Sequence, residues 1–521
     1  MPSPSETRDA SITSADDAPA PRASLAPHLL CAGLVALLAA GNYVAWIHNY
    51  FVGDSWWLIG SMAEPDWSLQ DLLPFRLPAH RINSTNYYAP VNTAVLWLAF
   101  KLGGFSPERY HLLSIAFHVG ASLSLFAASL QLTHSGLKAT LAGAIFATHF
   151  AITEAVGWFG AFSHPVAGFL GALSMALYAR YLATKGGLWL AGACAALLLA
   201  SLTQVTALPW FGILFCLDVF VSARGKRLKE AAPRLVTITG MAVLVLLLQV
   251  PVVTIWGSGG YNYQIGPWVV RNLFYYPVST FVPSLEVPSY VFATDLLLAP
   301  LRYDAFVQLM GMTEAFSMLL ACGAVLVAVA LLWTRGGWLS RFSIVAFGLG
   351  TVPFLLLNGH GYRYLYLPLM FFSVAMSSAV VDLFHHLRLR SSVAAAAVLA
   401  TIPIFVALSF AESQRQLFWW QQAGFVTHKS LVQLREIQPE LPRGALVVFV
   451  GLPDTLQRTN AQVWRNGIRE AVRVIYDDRT LRVETYSDEE EVLRRLQRES
   501  HPAERPYTFV WRDWQFYEMR P

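Results

Sequence analysis

LAPHLLCAGLVALLAAGNYVAWIHNYFVGDSWW, residues 25–57, is the stretch on which the fold turns. No Asp, Glu, Lys or Arg occurs in it before Asp54. An apolar run of about 20 residues matches the hydrocarbon thickness of a bilayer, so it reads as a spanning helix. Asp54 then sits among Tyr50, Phe51, Trp56 and Trp57, side chains that favour a membrane–water boundary. A carboxylate at that depth is costly to desolvate and marks a functional position. The expectation is chemistry on a lipid-linked substrate, with Asp54 at its centre.

The rest of the chain agrees. Of 521 residues, 55% are hydrophobic and 13% charged, about half the charge of a soluble domain. Residues 1–24, rich in Ser, Ala, Pro and Asp, read as a disordered tail. Apolar runs near 26–46, 108–132, 137–156, 164–184, 188–203, 205–222, 235–256, 314–334, 341–358, 364–384 and 392–411 give about eleven spanning segments. The shorter run 87–104 opens with Tyr87-Tyr88-Ala89-Pro90 and reads as a helix lying in the interface, within the first outer loop.

Charge sets the expected orientation. With the N-terminus cytoplasmic, the short inner loops carry Lys138, Arg180, Lys185, Arg224, Lys226, Arg227, Lys229, Arg234, Arg335, Arg341, Arg388 and Arg390. The short outer turns near 157–163 and 201–204 carry no Lys or Arg. This positive-inside bias puts Asp54 and everything after residue 411 outside. The two long outer loops, 47–107 and 257–313, are of a length usually given to function.

From 412 onward the composition is that of a soluble domain. Residues 445–450 read as a buried strand, 460–473 as an amphipathic helix, and Val472-Arg473-Val474-Ile475-Tyr476 as a second strand. Ser487 and the acids behind it open a helix. Residues 507–511 and 515–517 form a closing hairpin. The expected fold class is a polytopic α-helical membrane protein with a small C-terminal α/β domain on the outer face. Its parts are a tail over 1–24, a transmembrane body over 25–411 and a soluble domain over 412–521. The four cysteines have no metal-like spacing, and no P-loop or GxGxxG motif is present. A net charge of +4 gives no argument for nucleic acid.

The order of further pieces is specific: Asn49-Tyr50-Phe51-Val52-Gly53-Asp54, Asn86-Tyr87-Tyr88-Ala89-Pro90, then residues 104–111, with His118 seven after His111. His149-Phe150-Ala151-Ile152-Thr153-Glu154-Ala155-Val156-Gly157-Trp158 follows, and Tyr362-Arg363-Tyr364-Leu365-Tyr366-Leu367-Pro368 closes the set. Over roughly 26–411 this resembles the type C glycosyltransferase superfamily, in the branch related to protein O-mannosyltransferases and lipid A aminoarabinose transferases. The resemblance implies sugar transfer on the outer face of a bacterial inner membrane. The donor is a polyprenyl-phosphate sugar lipid, and the acceptor a glycan, lipid or protein. The chain departs from the family pattern at Asp54-Ser55, where an acid pair is common, and at Thr203-Gln204, where Lys-Glu is common.

Inverting transfer needs a base for the acceptor hydroxyl and positive charge for the leaving phosphate. Asp54 is the expected base and Glu154 its expected catalytic helper. Arg363, between tyrosines, is the expected bidentate phosphate ligand. His360, His80, Arg81, Tyr88 and His164 are expected to line the substrate. If a divalent metal such as Mg or Mn takes part, Asp54 and Glu154 are its expected ligands. Two other functions stand beside this one: a non-catalytic relative acting as a membrane scaffold, and a lipid or sugar transporter.

Overall fold

The computed structural model describes residues 25–63, 88–224, 228–249, 265–281, 305–388, 391–456, 459–490, 492 and 506–519. The membrane body runs α1 (Leu25–Gly41), α2 (Asp54–Met62), α3 (Pro90–Gly103), α4 (Pro107–Thr133), α5 (Gly136–Thr148), α6 (Thr153–Gly157), α7 (Ser163–Thr184), α8 (Gly187–Thr203), α9 (Pro209–Arg224), α10 (Leu228–Gln249), α11 (Trp268–Ser279), α12 (Ala305–Arg335), α13 (Trp338–Leu355) and α14 (Tyr366–Arg388). A long helix, α15 (Ser392–Ile437), leads to the C-terminal sheet.

Among the described residues, eight helices are long and apolar enough to cross a membrane. Gly136–Thr148 and Phe150–Gly157 form a ninth span if their 54° bend is taken as one broken helix. Gly187–Thr203 and Leu320–Arg335 are shorter apolar helices. Each of the eleven segments expected from sequence therefore has a helical counterpart. The α3 helix has 14 residues, about 21 Å of rise, too short for a bilayer core of about 30 Å.

Helix packing follows the small residues. The α7 helix lies against α4 and α8, and α14 against α5 and α13. Gly171 of α7 faces Trp210, and a Cβ there would lie 2.0 Å from the indole nitrogen. Without a hydrophobic force between helices in lipid, such close approach is what holds them.

A carboxylate buried inside the bundle is fully paired. Asp218 has no exposed surface. Arg234 donates Nε to Asp218 Oδ2 and Nη2 to Oδ1, each at 2.8 Å. The Tyr178 and Ser222 hydroxyls complete the carboxylate at 2.8 and 2.9 Å. The carbonyls at the end of α13 are orphaned by helix geometry, and α11 satisfies them. Asn272 Nδ2 donates to Phe354 O at 3.0 Å and to Leu357 O at 2.8 Å, and Trp268 Nε1 donates to Leu356 O at 3.3 Å.

The sheet has the order β2-β1-β3-β4, with β1 (Leu446–Val450) central, β2 (Arg482–Tyr486) and β3 (Tyr507–Arg512) parallel to it, and β4 (Gln515–Glu518) antiparallel to β3. The β3–β4 hairpin turns on Asp513 (φ 50°) and Trp514 (φ 63°), the positive-φ pair of a tight hairpin loop.

One expectation for this region is corrected. Val472–Ile475 is not a strand; it ends the helix α16 (Ile468–Ile475), which begins later than expected. Ile468, Ala471 and Val472 are buried at helical spacing, so packing overrides the β-branched preference of the run. The helix that opens at Ser392 continues unbroken past residue 411 to Ile437. The sheet shares one apolar cluster with the membrane body: Trp56 and Ile59 of α2 pack with Leu431, Trp464, Ile468 and Val447.

Removing the Asp218 side chain strands the Arg234 charge within the bundle. Asp218→Ala should destabilise the protein by about 3–5 kcal/mol. The double variant Asp218→Ala/Arg234→Leu should recover much of that loss, as read from thermal unfolding in detergent micelles.

Candidate active site

Glu154 and Arg363 meet across 209 residues. Glu154 belongs to α6, the short helix after the 54° break, and is 5% exposed. Arg363 sits in the 3-10 turn Tyr362–Leu365 that leads into α14. Glu154 Oε2 accepts the Arg363 backbone N–H at 3.0 Å, and Oε1 accepts Nη1 of the same residue. Nη2 donates to the Tyr364 hydroxyl at 2.9 Å. The guanidinium lies 5.5 Å from the Trp158 ring centre and 4.5 Å from that of Tyr364, within cation–π range. Trp158 stacks on Trp420 of α15 at 5.3 Å, and Tyr364 on Phe354 at 4.6 Å. A Cβ on Gly361 would come within 2.9 Å of Arg363 Nη1, so that glycine leaves room for the fork.

A second cation converges here. Arg271 of α11 and Arg363 both lie within electrostatic reach of His360 and Tyr276. Arg271 Nη2 also holds the Asn358 carbonyl. His360 packs edge-on against Tyr275 at 4.6 Å. Burial, then Arg271 and Arg363, push the imidazole down to about 4. It is therefore neutral at pH 7. His164, at the start of α7, is buried with its edge toward Tyr364 at 5.9 Å, and its Nε2 accepts from Gln204 Nε2 at 3.3 Å. Glu154, Arg363, His164 and His360 thus come together, and Gln204, one of the family departures, joins them.

Asp54 is the first residue of α2. Gly53 before it has φ +47°, a conformation that favours glycine, and its N–H donates to Val463 O at 2.9 Å. Asp54 Oδ1 accepts from Asn466 Nδ2 at 2.7 Å. A small cleft lined by Asn49, Tyr50, Ser55, His111, Trp158 and Trp420 separates the α2 segment from the α6 segment. Trp158 is therefore a shared wall: one contact is the Arg363 guanidinium, and the other is the cleft beside α2.

The remaining expected residues lie elsewhere. Tyr88 is held through its main chain by Gln249 of α10, with Nε2 donating at 2.9 Å and Oε1 accepting at 2.8 Å. His80 and Arg81 fall outside the described residues. His111 donates Nε2–H to Asn49 O at 3.0 Å. His118 bridges the Tyr366 hydroxyl and Ala147 O. Among the described residues no three His, Cys, Asp or Glu side chains converge to hold an ion. Both oxygens of Glu154 accept from Arg363. Sequence reasoning missed Arg271, Tyr275 and Asn466. Arg271 and Tyr275 lie in a proline-interrupted loop with no motif, and Asn466 is 412 residues from its partner.

The architecture is that of a multi-pass membrane protein carrying a charged, aromatic-walled site at one end of its helices. No protein-family model matches the chain, and no curated protein matches it. Among solved structures it is similar to two crystal structures of ArnT from Cupriavidus metallidurans, one in the apo state and one bound to undecaprenyl phosphate. Both are 15% identical with a TM-score of 0.40. The apo alignment covers 93% of this chain and 94% of that one, and the bound alignment 94% of each. At that score the likeness carries no weight for chemistry, which rests on the residues above.

His360 offers a pH test. Its pKa in the folded chain, about 4, lies below its ordinary 6.5. An unfolded chain therefore binds this proton more readily, and the contribution to stability is complete above about pH 6.5 and drains as pH falls toward 4. His360→Gln should flatten the fall in melting temperature across that window. Melting curves between pH 4 and 7 read it directly.

Proposed function

We propose that the protein is a membrane glycosyltransferase that moves a sugar from a polyprenyl-phosphate donor to an acceptor hydroxyl, with inversion, on the outer face of a bacterial inner membrane. The observation that supports this most is the charge balance of the site. Arg363, oriented by Glu154, lies against the Trp158 and Tyr364 rings, and Arg271 binds the Asn358 carbonyl two residues before His360. Such a place suits a lipid phosphate, since guanidinium forks match phosphate oxygens. Ser55, the neighbour of Asp54, lines the same small cleft as Trp158. The Lys and Arg pattern of the short loops supports the outer placement of the site.

In this reading Asp54 takes the proton of the acceptor hydroxyl while that oxygen attacks the anomeric carbon from the face opposite the phosphate. The bond from the anomeric carbon to the phosphate oxygen breaks, and its electron pair stays on the phosphate. The two guanidiniums neutralise the charge that develops there. Glu154 holds the Arg363 fork in position, and His164 and His360, packed on Tyr364 and Tyr275, shape the walls.

A second reading has one observation in its favour. A broken helix with a buried charged pair beside the break is a feature of transporters. Reconstituted vesicles that move a labelled polyprenyl phosphate without making a covalent product would establish it instead.

In membranes from a deletion strain, Asp54→Asn should cut sugar transfer by at least about 100-fold and let the polyprenyl-phosphate sugar accumulate. Normal transfer by correctly inserted Asp54→Asn would refute the base assignment. Arg363→Gln should cost on the order of 100-fold, and Arg363→Lys less, because the charge remains while the fork is lost. Mass spectrometry of the lipid-linked sugar and its product reads all three variants.

A further inference from the structure

The C-terminal domain touches the membrane body at the candidate base itself. The loop ahead of α16 brings Val463 O to the Gly53 N–H at 2.9 Å and Asn466 Nδ2 to Asp54 Oδ1 at 2.7 Å. Gly467 approaches so closely that a Cβ on it would lie 2.2 Å from Gly53 O. Farther along α2, Arg479 Nη1 donates to Gly60 O at 3.0 Å. Trp464, Ile468 and Val472 pack on Trp56 and Ile59. Main chain, side chain and apolar core thus all fix α2 to this domain. Among the described residues, Asn466 is the side chain that hydrogen-bonds Asp54.

We propose that the C-terminal domain completes the active site, with Asn466 as a positioning residue that holds Asp54 through Oδ1 and leaves Oδ2 directed to the acceptor proton. The inference rests on the reading of Asp54 as the base. An aspartate carboxylate, carried on two rotatable bonds, sweeps a wide arc, and a base must meet its proton at hydrogen-bond distance. An amide donor on one oxygen removes that freedom without neutralising the charge. The domain is then a working part of the transferase, and its loop forms the acceptor-side wall.

The test uses the full chain in lipid nanodiscs with the polyprenyl-phosphate sugar extracted from the deletion strain. Asn466→Ala and the isosteric Asn466→Asp, which has no amide donor, should each lower kcat roughly 10- to 100-fold. The KM for the lipid and the melting temperature should stay unchanged. Asn466→Gln, which keeps a donor, should retain more activity than either. The exchanged pair Asp54→Asn/Asn466→Asp restores a hydrogen bond but displaces the carboxylate, and should remain inactive. Unchanged kcat in Asn466→Ala and Asn466→Asp, with Asp54→Asn inactive, would overturn the inference and leave the base assignment intact. A parallel fall in kcat and melting temperature with no recovery in Asn466→Gln would also overturn it, because the contact would then serve only the fold. An active Asp54→Asn would remove the base assignment, and the inference with it.

Discussion

A guanidinium and a carboxylate that leave water together must find partners for the groups they carry, because an unmatched charge in an apolar bundle is strongly destabilising. Arg363 and Glu154 meet that demand by drawing the broken α5–α6 segment, the turn before α14 and the tyrosine beside it to one point. The break after α5 is needed for this. A continuous helix would carry Glu154 onward along the axis of α5, whereas the 54° bend turns it toward the 3-10 turn. The aromatic walls follow from the same requirement. Trp158 and Tyr364 cover the guanidinium and are themselves covered by Trp420 and Phe354.

A second constraint acts on the opposite wall of the cleft. The α2 helix has nine residues, too few to be stable alone. Its position is set by what it touches. The long helix α15 fixes the segment just before it: Thr427 donates to Phe51 O at 3.0 Å, and Gln414 donates to Asn42 O at 2.8 Å. The C-terminal domain fixes the helix itself through Trp464 and Ile468. The two walls are tied by Trp420, which belongs to α15 and stacks on Trp158.

What the sequence shows and what it hides divide along physical lines. Spanning segments depend on local composition, so the apolar runs mark them individually. β1 and the β3–β4 hairpin are legible for the same reason: a short β-branched run and a tight turn are local signals. The end of α15 is not, because apolar content stops near residue 411 while helical hydrogen bonding does not. Val472–Ile475 misleads because its side chains suit a strand while its surroundings demand a buried helical face. Glu154 and Arg363 stand out singly, as charged groups beside apolar runs. Their pairing does not, since nothing local links residues 209 apart. Asn466 carries no signal at all, being one polar residue in a polar loop.

The length of α15 has a mechanical meaning. Its 46 residues span roughly 70 Å of helical rise, against a hydrocarbon core of about 30 Å. The sheet is therefore mounted on a shaft, not tethered by a string, and its angular phase about that shaft is set by residue count. Inserting a single alanine between residues 428 and 437 would advance the helix by about 100°. The domain would still be folded and still be attached, but it would face the wrong way. For this chain, the spacing between bilayer and sheet decides how the sheet meets α2 as much as any side chain does.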